Sequence, residues 1–467
     1  MRGIRRFNIL LLASLTLGLF GCARVEPVPQ PDMQPWPEVL GGAAAVSQPS
    51  HWWTEFNDEQ LNRWIEQGLQ QNYSLQAAWA RLAQSEAVAR QAGSERYPDL
   101  SVSLSRSRQW RNNVSTDLWS AGITTEYELD FWGRVSALHE QGRLNALASL
   151  QATRVQANTV AANIALNAYG LHMQQLNLQL LAQQQQRLQD ALQVTQGRFQ
   201  RGQALISDVW QQQQLLEANQ AERISAEAES QRYRHQLALW LGDPAWLQAV
   251  AADKTSGNAT EVGSLPDLSD APEGVALEAL QQRPDVQQAW FELQASNAAV
   301  AAAVANRFPR LTLTASYRGE DASLSNVFDD WIGNLAGGLV LPLIDGASRR
   351  AEVARQRAAV EEGLAVYQNT LLTAAQEVQD ALTGSQQMAG RAASLERQLQ
   401  LARDTESYQS NRYRKGSGDF LSLLSVQREV LSLEQQLLSA RWQQLQYRIQ
   451  LFRAVSHGDF GQKDEPV

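Results

Sequence analysis

From Leu100 to Ser105 apolar and hydroxyl side chains alternate: Leu100, Val102 and Leu104 share one parity, Ser101, Ser103 and Ser105 the other. A period of two predicts a strand with one apolar face, over about 98–110. "WSAGITTEYELDF" behaves the same way. Trp119, Ala121, Ile123, Tyr127, Leu129 and Phe131 oppose Ser120, Thr124, Glu126, Glu128 and Asp130, predicting a strand over about 119–131. "RLTLTASY" and "WIGNLAGGLVLPL" predict two more, over about 309–319 and 331–343. Arg106 and Arg108 break the pattern by sharing the parity of Leu104, so that end of the first strand either emerges from apolar surroundings or bends.

Elsewhere the period is three and four. Val160, Ile164, Ala168 and Leu171 form one row; Leu364, Tyr367, Leu371, Ala375, Val378 and Leu382 a second; Leu423, Val426, Val430, Leu433 and Leu437 a third. These are narrow coiled-coil seams rather than the broad stripe of a globular core helix. No proline falls between Pro98 and Pro244 or between Pro342 and Pro466, so residues 133–196 can run as one helix of about 95 Å. The "QQQQ" runs at 183–186 and 211–214 read as solvated helix faces.

The chain repeats itself. "RYPDLSVSLSRS" from Arg96 matches "RFPRLTLTASYRG" from Arg307, and "NYSLQAAW" from Asn72 matches "RPDVQQAW" from Arg283, both 211 residues later. "GRFQRG" from Gly197 matches "NRYRKG" from Asn411 at an offset of 214. The period is far longer than a solenoid repeat, which makes this an internal duplication. The first copy occupies 51–242 and the second 275–457. A linker, 243–274, rich in Pro, Gly, Ser and Asp, joins them, and 458–467 form a tail.

Aromatics bracket the strands: Tyr97, Trp110, Trp119, Phe131, Trp132, Phe308, Tyr317, Phe328 and Trp331. Alternating segments of this length between aromatic girdles are the pattern of outer-membrane barrels. Four strands cannot close a barrel, and an open edge in lipid leaves amides unpaired. The chain must therefore pool strands with other copies. Two copies give a barrel filled by side chains; three give twelve strands and a wet lumen, which is the preferred arrangement.

The ends and the charge agree with this. Arg2, Arg5 and Arg6 precede an uncharged run from Phe7 to Phe20, too short to span a membrane and shaped like an export signal occupying 1–21. Leu19-Phe20-Gly21-Cys22 resembles the bacterial lipobox, which implies cleavage before Cys22 and a covalent lipid there, a diacylglycerol and an N-acyl chain. Ala23, rather than aspartate, implies sorting to the outer membrane. Residues 22–50, with prolines at 27, 29, 31, 35, 37 and 49, read as an extended tether. Cys22 is the only cysteine, which excludes a disulfide or a cysteine metal cluster. Without the signal, 37 Lys and Arg face 49 Asp and Glu, a balance of −12 that disfavours a nucleic-acid partner. The five histidines (51, 139, 172, 235 and 457) are scattered, and no nucleophile elbow or phosphate-cradling loop occurs. No enzyme and no cofactor beyond the lipid are expected.

The lipobox, the paired "RYP" and "RFP", "LDFWGR" (Leu129–Arg134) with its echo "LPLIDGASR" (Leu341–Arg349), and "RYRKG" together resemble the TolC-like outer-membrane factors, and within them the NodT-type efflux lipoproteins. The likeness spans about residues 50 to 457. It implies an α+β membrane protein, a homotrimer whose twelve strands form one shared barrel in the Gram-negative outer membrane and whose coiled-coil helices form a periplasmic α-barrel. Residues 51–70, 243–280 and the tail would make an equatorial belt. It implies an exit duct that serves an inner-membrane efflux transporter through a periplasmic adaptor, gated at the helix tips. Carried onto this chain, the tip candidates are Arg198, Phe199 and Asp208 in the first copy and Arg412, Tyr413 and Asp419 in the second. Ser425 stands where relatives commonly place a gate aspartate, which puts the usual tyrosine–aspartate latch in doubt. Two other readings stay open: a duct for type I protein secretion, and a non-porous coiled-coil spacer lipoprotein.

Overall fold

A computed structural model describes residues 39–40, 51–112, 114–246, 266 and 274–457. The signal segment, Cys22, nearly all of the tether, most of the linker and the tail lie outside the described residues. The helices are α1 (Glu59–Gln71), α2 (Tyr73–Ser94), α3 (Arg134–Gln200), α4 (Ile206–Leu241), α5 (Leu277–Gln281), α6 (Pro284–Ala305), α7 (Ser348–Arg414) and α8 (Phe420–Val455). The strands are β1 (Val39–Leu40), β2 (Asp99–Arg111), β3 (Val114–Leu129), β4 (Val275–Ala276), β5 (Arg310–Asp321) and β6 (Trp331–Val340).

The duplication governs the architecture. Helices α2 and α6 have 22 residues each, α3 and α7 have 67, and α4 and α8 have 36. The two 67-residue helices each reach about 100 Å. Among the described residues no helix is long and apolar enough to cross a membrane.

One antiparallel sheet runs in the order β2-β3-β5-β6, so β3 pairs with β5 across the whole intervening stretch 130–309. Its register places Val102, Ile123, Tyr317 and Gly333 in one row and Leu100, Thr125, Ala315 and Leu335 in another. One face therefore carries Leu, Val, Ile and Tyr, whereas the other carries Ser103, Thr124, Glu126, Thr314 and Ser316. The apolar face is open: Val102 is 78% exposed and Leu335 79%. Rows from Leu311 to Gly319 cover about 26 Å along the strand, or about 20 Å of height at a barrel tilt, near the apolar thickness of an outer membrane. Aromatic rings stack at both ends, Tyr317 on Trp331 at 4.7 Å and Trp132 on Phe308 at 4.8 Å. Among the described residues, the outer sides of β2 and β6 have no strand partner.

Two expected strand limits shift by three residues or more. β3 begins at Val114, five residues before the expected start, because the reversal takes only two residues between Arg111 and Val114, with Asn112 in the left-handed region at φ 49. Ser115, Thr116 and Asp117 are polar on both parities, so no alternation marks this extension. β6 ends at Val340, short of 343, since Pro342 has no N–H for a ladder. The ladder of β2 continues through Arg106 and Arg108 without a bend, and both arginines meet Asp117, at 3.4 and 3.0 Å.

The sheet turns into the helices through the "LDFWGR" motif. Asp130 accepts hydrogen bonds from the Val135 and Ser136 amides at 3.0 and 2.8 Å, capping α3. Arg134 grips Glu128 of β3 bidentately at 2.9 and 2.8 Å, and Gly133 takes φ 76. Asp345 and Gly346 repeat the device before α7, with Asp345 accepting from the Arg349 amide at 3.2 Å.

The two largest core clusters among the described residues centre on the first and second copies, α8 contributes to both, and two smaller ones lie along the second hairpin. Trp52, Trp53 and Phe56 pack with Ile65, Ile164, Tyr169, Leu237 and Phe452, while Leu280, Val286 and Leu293 pack with Tyr367, Leu371, Val378 and Leu451. The predicted seam residues Val160, Ile164, Ala168 and Leu171 are all buried. Each large apolar side chain so buried contributes about 1.5–3 kcal/mol. The two hairpins, α3–α4 and α7–α8, extend away from the sheet and end in tight turns.

Candidate functional site

The two hairpin tips are built alike. Helices α3 and α7 end on glycines in the left-handed region, Gly202 at φ 70 and Gly416 at φ 77. In the first, the amides of Gly202 and Gln203 donate to the carbonyls of Phe199 and Arg198, both at 2.9 Å. In the second, the amides of Gly416 and Ser417 donate to Tyr413 and Arg412, both at 3.0 Å. The arginine side chains close the same loops: Arg198 donates to the Gln203 carbonyl at 3.3 Å and Arg412 to the Ser417 carbonyl at 2.9 Å.

The symmetry stops at the next residue. Tyr413 is 4% exposed and packs on Phe420 at 5.8 Å, whereas its counterpart Phe199 is 41% exposed. Arg198 reaches across to the second hairpin, donating to the Tyr413 carbonyl and lying 4.3 Å from its ring centroid. Arg412 stays on its own helix, over Tyr408 at 5.8 Å. Burial pushes the Tyr413 phenol up from its ordinary value. No carboxylate hydrogen-bonds that hydroxyl among the described residues.

The other candidates serve their own helix starts. Asp208 accepts from the Leu205 amide at 3.1 Å, and Asp419 from the Ser422 amide at 2.9 Å and its hydroxyl at 3.1 Å. These amide bonds, the Ser422 amide first, hold the Asp419 carboxyl below its ordinary range. Ser425 donates to the Ser422 carbonyl at 3.1 Å. The structure thus brings Arg198 and Tyr413 together and leaves Phe199, Arg412, Asp419 and Ser425 on exposed surfaces.

Sequence reasoning missed a buried polar layer farther up the hairpins, and each glutamine run expected to be a solvated face turns one residue inward, Gln184 and Gln212, both 1% exposed. Glu434 of α8, its side chain 2% exposed, accepts from Arg187 at 2.6 Å, Gln184 at 2.8 Å and Arg403 at 2.8 Å. Asn219 of α4 donates to Gln184 at 3.3 Å, so one layer links all four helices. Burial alone would raise the Glu434 carboxyl, but bonds from Arg403, Gln184 and Arg187 outweigh it and hold it below the usual range. A second missed cluster lies at the waist, where Arg283, which opens "RPDVQQAW", pairs with Asp285 at 2.8 Å and Glu377 at 2.7 Å.

A body of long helical hairpins beneath a sheet with one apolar and one polar face is shared with known proteins. OprN, a solved outer-membrane channel, superposes with a TM-score of 0.83 at 24% identity, over 93% of this chain and 99% of that one. The pyoverdine export outer membrane protein OpmQ of Pseudomonas aeruginosa is 27% identical over 445 residues, 91% of this chain and 90% of OpmQ. The probable outer membrane lipoprotein SilC of Salmonella typhimurium is 23% identical over 467 residues, 97% of this chain and 99% of SilC. A family model described as "Outer membrane efflux protein" matches residues 64–243 and 275–457, nearly all of both copies. With strands, tips and duplication all falling inside that match, the chain belongs to the outer membrane efflux protein family.

Proposed function

We propose that three copies pool their sheets into a twelve-stranded barrel in the outer membrane and their helices into a periplasmic tunnel, forming the exit duct of a tripartite efflux pump. The observation that carries this reading is the sheet itself. Its apolar face is open, its opposite face is polar, and its two outer strands lack partners. Lipid demands closure of those edges, and only other copies supply the strands. The duct carries small molecules delivered by an inner-membrane transporter through a periplasmic adaptor, a reading supported by a relative named for pyoverdine export. Cys22 carries the lipid, supported by the lipobox-like sequence and by a relative named as a lipoprotein. No catalytic step is assigned to the chain.

The tip is the gate, and Arg198 is its intrachain latch, held on Tyr413 by a carbonyl bond and the ring face. This replaces a tyrosine–carboxylate latch, since Ser425 has no charge and Asp419 is occupied as a cap.

Conductance of the detergent-purified protein in planar bilayers tests this. The expected result is a heat-resistant trimer with low conductance that rises when Arg198 is replaced. A monomer that stays soluble without detergent, or a bilayer that stays sealed with the tip variant, overturns the duct in favour of a spacer. Cys22→Ser is expected to abolish labelling by radioactive palmitate; label retained elsewhere overturns the lipid assignment.

A further inference from the structure

The polar layer around Glu434 divides its two carboxylate oxygens between different partners. Oε1 accepts from Arg403 of α7, within the second hairpin. Oε2 accepts from Gln184 and Arg187 of α3, across the boundary between hairpins. Glu434 lies 14 positions into α8, about 21 Å from the tip.

Between this layer and the tip the boundary is loosely bonded. A cavity of about 170 Å³ is lined there by all four helices, through Thr195, Gln212, Tyr413 and Gln427 among others. Gln212 is 1% exposed, and both of its amide heavy atoms lack a protein hydrogen-bond partner. The Gln427 carbonyl oxygen is buried in the same condition. A polar cavity of this size takes up water, and water exchanges partners as the surfaces slide. The lower boundary therefore offers lubrication. Apart from a bond at the waist, where Asn158 of α3 donates to the Arg453 carbonyl of α8 at 2.9 Å, the hairpins are tied among the described residues at Oε2 above and at Arg198 below.

We propose that Glu434 is a positioning residue for the gate: a buried pin that clamps the second hairpin to the first, released only when Oε2 parts from Gln184 and Arg187. The pin rests on the reading of the tips as the gate. In opening, the second hairpin keeps its own Glu434–Arg403 pair and carries it along. The ion that would be costly to strand alone in the interior thus never loses all its partners. Coupling through one divided carboxylate lets the hairpin move as a unit.

Single-channel conductance with a parallel test of trimer heat resistance separates this role from a merely structural one. Glu434→Gln and Arg187→Gln are expected to raise conductance by about tenfold or more with the trimer intact, because each breaks the ion pair that the buried Glu434 carboxylate makes across the boundary. Arg187→Lys, which keeps the cation, is expected to restore low conductance. Arg441→Gln removes an exposed pair between α7 and α8 at 2.6 Å and is expected to stay within about threefold of the parent. If Glu434→Gln fails to assemble, Arg187→Gln carries the test, since that side chain is 41% exposed. Heat-stable trimers with parental conductance in both variants, alongside a leaking Arg198→Gln, overturn the pin and leave the gate reading standing. Sealed bilayers with every variant, Arg198→Gln included, overturn the gate reading itself.

Discussion

Gly170 on α3 forms a notch for the ring of Tyr233 on α4: a Cβ added there would lie 2.3 Å from the ring. Gly384 on α7 receives Tyr447 of α8 in the same way, at 2.5 Å and 214 residues later. Each hairpin is therefore keyed by one aromatic knob well above its tip, and the key survived the duplication.

Gly170→Ala and Gly384→Ala are each expected to destabilise the protein by about 1–3 kcal/mol through overpacking. Gly390 lies in the same helix as Gly384 with nothing within 4 Å of an added Cβ. Gly390→Ala is therefore expected to gain about 0.5–1 kcal/mol from helix propensity alone. Thermal inactivation of the three variants at one scan rate checks both signs.

The two faces of the sheet respond oppositely to charge. Val102→Arg puts a cation on the apolar face and is expected to cost about 2–4 kcal/mol of insertion free energy. Ser103→Arg, one residue along and on the polar face, is expected to assemble normally and to shift ion selectivity towards anions. Outer-membrane fractionation reads the first effect and reversal potentials the second.

At the tip, Tyr413→Phe is expected to conduct like the parent, because the ring and the carbonyl make the contacts to Arg198. Tyr413→Ala removes the ring and is expected to raise conductance. Equal leakage from both variants would assign the latch to the hydroxyl.

Acid is expected to act in two opposite steps. Burial raises the Glu406 carboxyl above its ordinary 4.5, partly offset by Arg187. Its folded state thus binds a proton more readily than the unfolded chain, and stability rises as pH falls through the folded value. Glu434 is depressed, so its contribution is complete above 4.5 and is lost as pH falls through its lower folded value. The inactivation temperature is expected to pass through a maximum in mild acid. Glu406→Gln should remove the rise and Glu434→Gln the later fall.

How much of this was legible beforehand depended on local signals. The alternation at Leu100–Ser105, the matched "GRFQRG" and "NRYRKG" tips and the missing prolines each expose structure within a short window, and the strands, hairpins and repeat followed. The asymmetry of Tyr413 and Phe199 did not, since identical turns give no hint of which ring folds inward. Glu434 was hidden in "SLEQQLL" because its partners lie 31 to 250 residues away. A trace was present: Phe420, Gln427 and Glu434 are seven apart and all buried, a stripe beside the seam. Asp117 was missed for another reason, as polar residues on both parities conceal a strand once it leaves lipid.

The pairing of β3 with β5 has a consequence for biogenesis. A ribosome finishes the first β-hairpin long before it makes Arg310, so the middle of the sheet has no mate during most of synthesis. Non-local ladders of this kind form late and slowly. A chain truncated anywhere between the copies would deliver a sticky half-sheet with lipid-loving residues on one side, a ready seed for aggregation. The order of the strands thus leaves β3 waiting for its mate until the second copy arrives.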